Sequence, residues 1–60
     1  MGRRSLVAIC DIAAGMVITR DMIDVKRPGY GIHPRMIDVV MGRVAKINIE
    51  KDDILTWEMV

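Results

Sequence analysis

Short apolar runs separated by polar turns dominate the two ends of the chain. Leu6 to Ile9 and Val44 to Ile47 are such runs, and each is followed, after a polar turn, by a shorter one at Met16 to Ile18 or Ile54 to Leu55. Runs of this length that are rich in β-branched residues and bounded by turn residues favour strands over helices. The pattern therefore predicts a mainly β protein with short helices.

One segment between these runs carries the signals of an α-helix. Pro34, after His33, suits the first helical position, and Gly42 suits the position just beyond a helix end. Apolar residues recur four positions apart between them, which predicts one buried helix face. The residues of that face are Met36, Ile37, Val40 and Met41.

The two ends of the chain also repeat each other at an offset of 37 residues. The copies span about residues 6–23 and 43–60. Gly15, which tolerates a positive φ, aligns with Asp52, one of the few other residue types that do. Because two units are too few for a solenoid, the repeat predicts a pseudo-two-fold domain in which each copy covers the apolar face of the other.

The second shared feature of the copies is a capping signal. Thr19 and Thr56 stand where a hydroxyl can cap a following short turn, and Asp21 and Glu58 fall in the first turn after them. Acidic residues are favourable at that end of a helical turn. The sequence thus predicts a capped 3₁₀ or single α-turn at Leu55–Trp57 rather than a strand.

Composition limits the function. The chain has 60 residues, 52% of them apolar, and its aromatic residues are Tyr30 and Trp57. This length predicts one domain, residues 1–60, and leaves no room for a catalytic barrel or a nucleotide-binding fold. The net charge of +1 argues against electrostatic nucleic-acid binding. Ile12 to Thr19, the longest apolar stretch without a charge, is too short to span a membrane.

Candidate catalytic and metal-binding chemistry is sparse. Cys10 and His33 are single, so a Cys–His nucleophile with its orienting group and a standard metal site are both disfavoured. Cys10 is expected to be a buried, inert thiol in a strand, and a lone cysteine fits a reducing, cytoplasmic compartment. Asp52 and Asp53 are expected on a solvated turn. Gly2 fits a myristoylation pattern only in part.

The loop from Lys26 to Gly31 is the most informative segment for function. Pro28 restricts Arg27 to an extended conformation, and the two glycines of the loop free the backbone. A guanidinium offers five donors in a fixed fork, so the loop suits an anionic or polyhydroxylated ligand. An ordinary solvated loop has the same composition. Arg27 is the first substrate-binding candidate, and Lys26 and Tyr30 are weaker ones.

The same residues carry a family resemblance that runs from Arg3 to Val60. The chain resembles the C-terminal antifreeze-like (SAF) domain of sialic acid synthases and is similar to type III fish antifreeze proteins. The resemblance implies a compact, pretzel-like β-clip fold with an internal pseudo-two-fold repeat. The matching segments are Arg3–Ala8, Asp11–Ile12, Gly15, Thr19, Lys26–Ile32 and Leu55–Trp57.

The resemblance also implies a function. In such a synthase, phosphoenolpyruvate condenses with N-acetylmannosamine to give N-acetylneuraminate in a TIM barrel that binds a divalent metal ion. The barrel is absent here, so this chain is expected to be non-catalytic and to hold no cofactor. The SAF domain would cap the active site of the partner subunit in a domain-swapped dimer. Arg27 would help hold the amino sugar, with Lys26 and Tyr30 as loop neighbours.

Departures from the family pattern raise alternatives. Ala13 and Ala14 stand where many relatives have lysines, and Met16 stands where an acidic residue is common. These changes make an apolar hairpin tip, which suits a stand-alone ice-binding protein. Arg20 and Asp21 fall near that tip, and their strongly hydrated charges oppose an ordered water layer. A SAF domain of another carbohydrate enzyme or of a flagellar chaperone is a further alternative.

Overall fold

The computed structural model describes residues 3–60, so the myristoylation pattern at Gly2 lies outside the described residues. Turns, isolated bridges and irregular backbone connect a few short elements, as expected for a mainly β fold with short helices. In chain order these are strand β1 (Ser5–Ala8), a 3₁₀ turn (Arg20–Met22), strand β2 (Ile23–Lys26), a 3₁₀ turn (Pro34–Met36), helix α1 (Ile37–Val40) and a 3₁₀ turn (Trp57–Met59).

Strand β1 lies at the centre of the fold. It pairs antiparallel with β2, with Ser5 opposite Lys26 and Ala8 opposite Ile23. Its other edge forms a bridge from Val7 to Ile54 in the second copy. Because both edges are covered, all four of its residues are buried, which explains an apolar run without polar alternation.

The prediction of a strand from Val44 to Ile47 is wrong. Val44 forms only an isolated bridge with Val17. Strand β1 has β2 as a second neighbour, but within residues 3–60 no strand pairs with the other edge of the segment at Val44. Strand β2 itself was not predicted. Its signal was present, since Ile23 is buried, Val25 is half-buried, and the residues between and after them are exposed.

Backbone hydrogen bonds between the two ends of the chain follow the same offset of 37 residues. Ile12 and Ile49, which are related by the offset of 37, exchange two hydrogen bonds of 2.7 Å, amide to carbonyl in both directions. Both side chains are 1% exposed. The pseudo-two-fold axis therefore passes between these two residues, in the middle of the core.

Hydrogen bonds away from the axis occur in equivalent pairs. The amide of Ala8 donates to the carbonyl of Asp53 at 3.0 Å, and the amide of Ala45 donates to that of Met16 at 2.9 Å. The same offset relates two further pairs: Asp52 to Ala8 with Gly15 to Ala45, and Leu55 to Leu6 with Ile18 to Arg43. Each copy thus supplies the edge that satisfies the backbone of the other.

Turn geometry is shared as well. Gly15 has φ +92° and Asp52 has φ +75°, which confirms the left-handed turn expected at both positions. Thr19 and Thr56 precede their 3₁₀ turns in nearly the same extended conformation, with φ −115° and −123° and ψ 163° in both. Local backbone geometry therefore follows the repeat even where the residue types differ.

The prediction that the hydroxyls of the two threonines cap the following turns is wrong. Neither side chain bonds a backbone N–H of its turn. The Thr19 hydroxyl instead donates to the carboxylate of Asp21. In the second copy, hydrogen bonds from the Thr56 side chain and from the Glu58 backbone N–H lower the pKa of Glu58 from its ordinary value. Desolvation opposes this lowering, and the charge of Lys46 adds to it.

The predicted helix is shorter than expected. Pro34 opens a 3₁₀ turn, α1 follows as a single turn, and Gly42 comes after it with φ +86°. Val40 is completely buried, and the other residues of the predicted face are half-buried against the core. The core itself consists of Leu6, Ala8, Ile12, Ile18, Ile23, Ile32, Val40, Ala45, Ile49, Leu55 and Val60.

The symmetry-related turns predict unequal responses to substitution. Gly15→Ala should lower the free energy of unfolding by about 1–2 kcal/mol, because a residue with a Cβ is strained at positive φ. No steric clash should add to this loss, since no atom lies within 4 Å of the Cβ position. Asp52→Gly should change it by less than about 0.5 kcal/mol. Urea unfolding monitored by Trp57 fluorescence measures both. A Gly15→Ala chain as stable as the parent would contradict the left-handed turn.

The lowered pKa of Glu58 predicts a local pH dependence. Thr56→Val should raise this pKa towards its ordinary value in an NMR titration, whereas Thr19→Val should leave it unchanged. Since the pKa is lower in the folded than in the unfolded state, the stabilisation is complete above the unfolded-state pKa and is lost as pH falls through the folded-state pKa. An unaltered Glu58 titration in Thr56→Val would refute this hydrogen bond.

Candidate functional site

The candidate loop begins where β2 ends. Lys26 is the last residue of β2 and lies opposite Ser5, the first residue of β1. The chain therefore leaves the sheet beside the N-terminal arginines, through a cis Arg27–Pro28 peptide bond. At the far end of the loop, the amide of Ile32 donates to the carbonyl of Leu55 at 2.9 Å. The loop is thus anchored to both copies of the repeat.

A buried hydroxyl holds the loop from beneath. Among residues 3–60, Ser5 is the one polar residue classed with the fully buried side chains. Its Oγ donates to the carbonyl of Pro28 at 2.6 Å and accepts from the amide of Gly31 at 3.0 Å. Sequence reasoning did not identify this role. The signal for this role was a polar residue directly before an apolar run, since a polar side chain that becomes buried needs hydrogen-bond partners.

The two glycines of the loop are required by close contacts. A Cβ at Gly29 would overlap the Cβ of Arg3, and a Cβ at Gly31 would overlap the carbonyl oxygen of Leu55. Their small size lets the loop pack between the N-terminal segment and the second copy. The expectation that they free the backbone is therefore replaced by a packing role, in which they allow close approach.

The three predicted ligand residues lie together on this loop with exposed side chains. Tyr30 is 84% exposed, and Arg27 is also exposed. Lys26 Nζ lies 3.9 Å from Asp52 Oδ1, and both side chains are about half exposed or more. Such an exposed ion pair contributes at most about 1 kcal/mol, so it orients Lys26 without removing it from solvent.

The fold also gathers cations that are separated in sequence. Arg3 contacts Gly29 through the close approach described above, and Arg4 precedes Ser5, the strand partner of Lys26. Arg3, Arg4 and Arg27 are all exposed. This end of the sheet consequently presents several hydrogen-bond donors with positive charge, which suits a ligand rich in oxygen acceptors.

The remaining candidate residues lie elsewhere. Cys10 is exposed, so the expectation of a buried strand thiol is wrong: β1 ends at Ala8, and the chain bends there. His33 is exposed and accepts from the amide of Arg35 at 3.2 Å, as suits a residue at a helix start. Asp53 accepts from the amide of Glu50 at 2.9 Å, which gives it a local turn role.

Residues 3–60 lack two kinds of feature, a cluster of metal-ligating side chains and a membrane-spanning helix. Residues 3–60 contain no group of three or more His, Cys, Asp or Glu side chains placed to hold a metal ion. No helix in the same range is long and apolar enough to cross a bilayer.

The sequence of this chain matches the model of a known domain family. A model of the SAF domain matches residues 3–60. The chain belongs to the SAF domain family. A protein of Methanocaldococcus jannaschii described as uncharacterized is 39% identical to this SAF domain over 56 residues, which cover 93% of the domain and 17% of that protein. The SAF domain thus spans about a sixth of the length of this curated relative.

Proposed function

We propose that this SAF domain is the non-catalytic, sugar-binding part of a sialic acid synthase, in which Arg27 helps hold N-acetylmannosamine. The observation that carries the proposal is an exposed guanidinium on a loop whose backbone is held by Ser5 and by two closely packed glycines. A binding group on a fixed loop loses less entropy when its ligand arrives. The resemblance to synthases assigns the same residue.

The ligand chemistry fits an amino sugar. N-acetylmannosamine presents hydroxyl groups and one amide carbonyl, all of which can accept hydrogen bonds. The five donors of a guanidinium can engage two such acceptors at once, whereas the ammonium of Lys26 acts as a point charge. Tyr30, beside Arg27 and exposed, is a further loop neighbour available to a sugar.

The catalytic machinery would lie in another domain. The much longer Methanocaldococcus jannaschii relative supports a SAF domain that works within a larger chain. In the proposed synthase, a TIM barrel binds phosphoenolpyruvate and a divalent metal ion, and the SAF domain covers the active site of the partner subunit in a domain-swapped dimer. Such an enzyme of sugar metabolism would operate in the cytoplasm.

An exposed apolar face supports contact with that larger domain. Val17 is 52% exposed and Val44 is 47% exposed, and the two are bridged to each other. Met16, which follows the turn at Gly15, is also exposed. The same face favours the ice-binding alternative, because ice-binding surfaces are flat and weakly polar, although the exposed charges of Arg20 and Asp21 oppose it.

The first experiment removes the proposed sugar ligand. In the synthase that carries this domain, Arg27→Ala should raise the KM for N-acetylmannosamine roughly 10- to 100-fold, since a hydrogen bond to a charged group contributes about 1.5–3 kcal/mol. The KM for phosphoenolpyruvate should change little. Arg35→Ala, which removes another exposed arginine, is the matched control. An unchanged KM for the amino sugar in Arg27→Ala would contradict the proposal.

The second experiment addresses ice binding. The 60-residue chain at millimolar concentration should show no thermal hysteresis and should leave growing ice crystals as round discs. Arg20 and Asp21 are exposed and close in sequence to Met16 and Val17, and we expect their charges to orient hydration water in a way that disfavours an ice-like layer. Measurable hysteresis with faceted crystals, lost on Val17→Asp, would establish ice binding in place of the synthase role.

A further inference from the structure

We infer that Ser5 is a positioning residue for Arg27, whose buried hydroxyl holds the loop in the conformation that presents the guanidinium to the sugar. The inference rests on the proposed role of Arg27 and adds a residue that contacts no ligand. Ser5 is 0% exposed, so its effect on a ligand is exerted through the loop.

The hydrogen bonds of Ser5 span the part of the loop that follows Arg27. The hydroxyl donates to the carbonyl of Pro28 at 2.6 Å and accepts from the amide of Gly31 at 3.0 Å. Pro28 follows Arg27 directly, so the first contact fixes the Pro28–Gly29 peptide, one residue beyond Arg27. One hydroxyl thereby fixes the distance between Pro28 and Gly31.

The hydroxyl of Ser5 takes no part in the hydrogen bonds that the two copies of the repeat share. Ser5 lies just before the first copy and is buried in β1, whereas Gly42, 37 residues later, is exposed with φ +86°. The hydrogen bonds that the two copies share join backbone atoms. Both hydrogen-bond partners of the Ser5 hydroxyl, Pro28 and Gly31, belong to the loop, so this hydroxyl serves the loop rather than the shared fold.

The core contacts around Ser5 do not depend on its hydroxyl. The amide of Leu6 donates to the carbonyl of Ile32 at 3.1 Å, and the amide of Leu55 donates to the carbonyl of Leu6 at 2.9 Å. Because both bonds join backbone atoms, we expect them to remain when Ser5 becomes alanine. Ser5→Ala should therefore loosen residues 28–31 while the two-fold core stays folded.

A double-mutant cycle in the synthase tests the inference. Ser5→Ala should raise the KM for N-acetylmannosamine at least about 5-fold, with kcat and the KM for phosphoenolpyruvate little changed. Because Ser5 acts through Arg27, the Ser5→Ala/Arg27→Ala enzyme should be no worse than Arg27→Ala, a non-additivity expected of residues that act together. Multiplied effects would overturn the positioning role.

The outcomes distinguish this inference from the proposed function. If Arg27→Ala leaves the KM for the amino sugar unchanged, the sugar-binding proposal and the inference both fail. If Arg27→Ala raises that KM and Ser5→Ala does not, only the positioning role of Ser5 fails. Ser5→Cys, which is similar in size and retains a weak donor, should give an intermediate KM and provides the test if Ser5→Ala does not fold.

A core variant controls for general loss of stability. Ile49→Val removes one buried methyl group at the pseudo-two-fold axis, away from the loop, and should leave the KM for the amino sugar unchanged. In the 60-residue chain, Ser5→Ala should speed hydrogen exchange at the amide of Gly31 but not at Ile12 or Ile49. A KM increase in Ile49→Val equal to that in Ser5→Ala would overturn the positioning role.

Discussion

The reciprocal backbone hydrogen bonds between Ile12 and Ile49 are the contact around which the rest of this structure is arranged. They lie on the pseudo-two-fold axis and place each copy of the repeat against the open edge of the other. A chain of 60 residues buries a smaller fraction of its surface than a larger domain and has little stability to spare. Because each copy covers the apolar face of the other, the two copies together bury one shared core.

The departures from symmetry coincide with the candidate site. Strand β1 acquires a second neighbour in β2, whereas the equivalent segment at Val44 forms only a bridge. Ser5 is buried at the start of β1, whereas Gly42, 37 residues later, is exposed. Features shared by the copies therefore maintain the fold, and Ser5, which lies outside the repeated segments, holds the Arg27 loop. This division is the physical basis for assigning function to that end of the molecule.

Much of the fold was predictable because it depends on local conformational preference. Gly15 and Asp52 adopt the expected positive φ, and short turns follow both threonines. Predictions that depended on which strand edges are paired and which side chains face solvent were wrong. Val44 lacks a second strand neighbour, and Cys10 faces solvent just beyond the end of β1. The loop was recognised from its proline, glycines and arginine, but the group that holds it was not.

The sequence by itself determined the repeat, the turn positions and the candidate loop, since each depends on residue types that restrict or permit particular backbone angles. Only the tertiary structure decided that Ser5 lies beneath Pro28 and Gly31, that Lys26 faces Asp52, and that the N-terminal arginines lie beside the loop. These contacts join residues more than 20 positions apart in the chain, so burial and strand pairing, rather than local preference, bring them together.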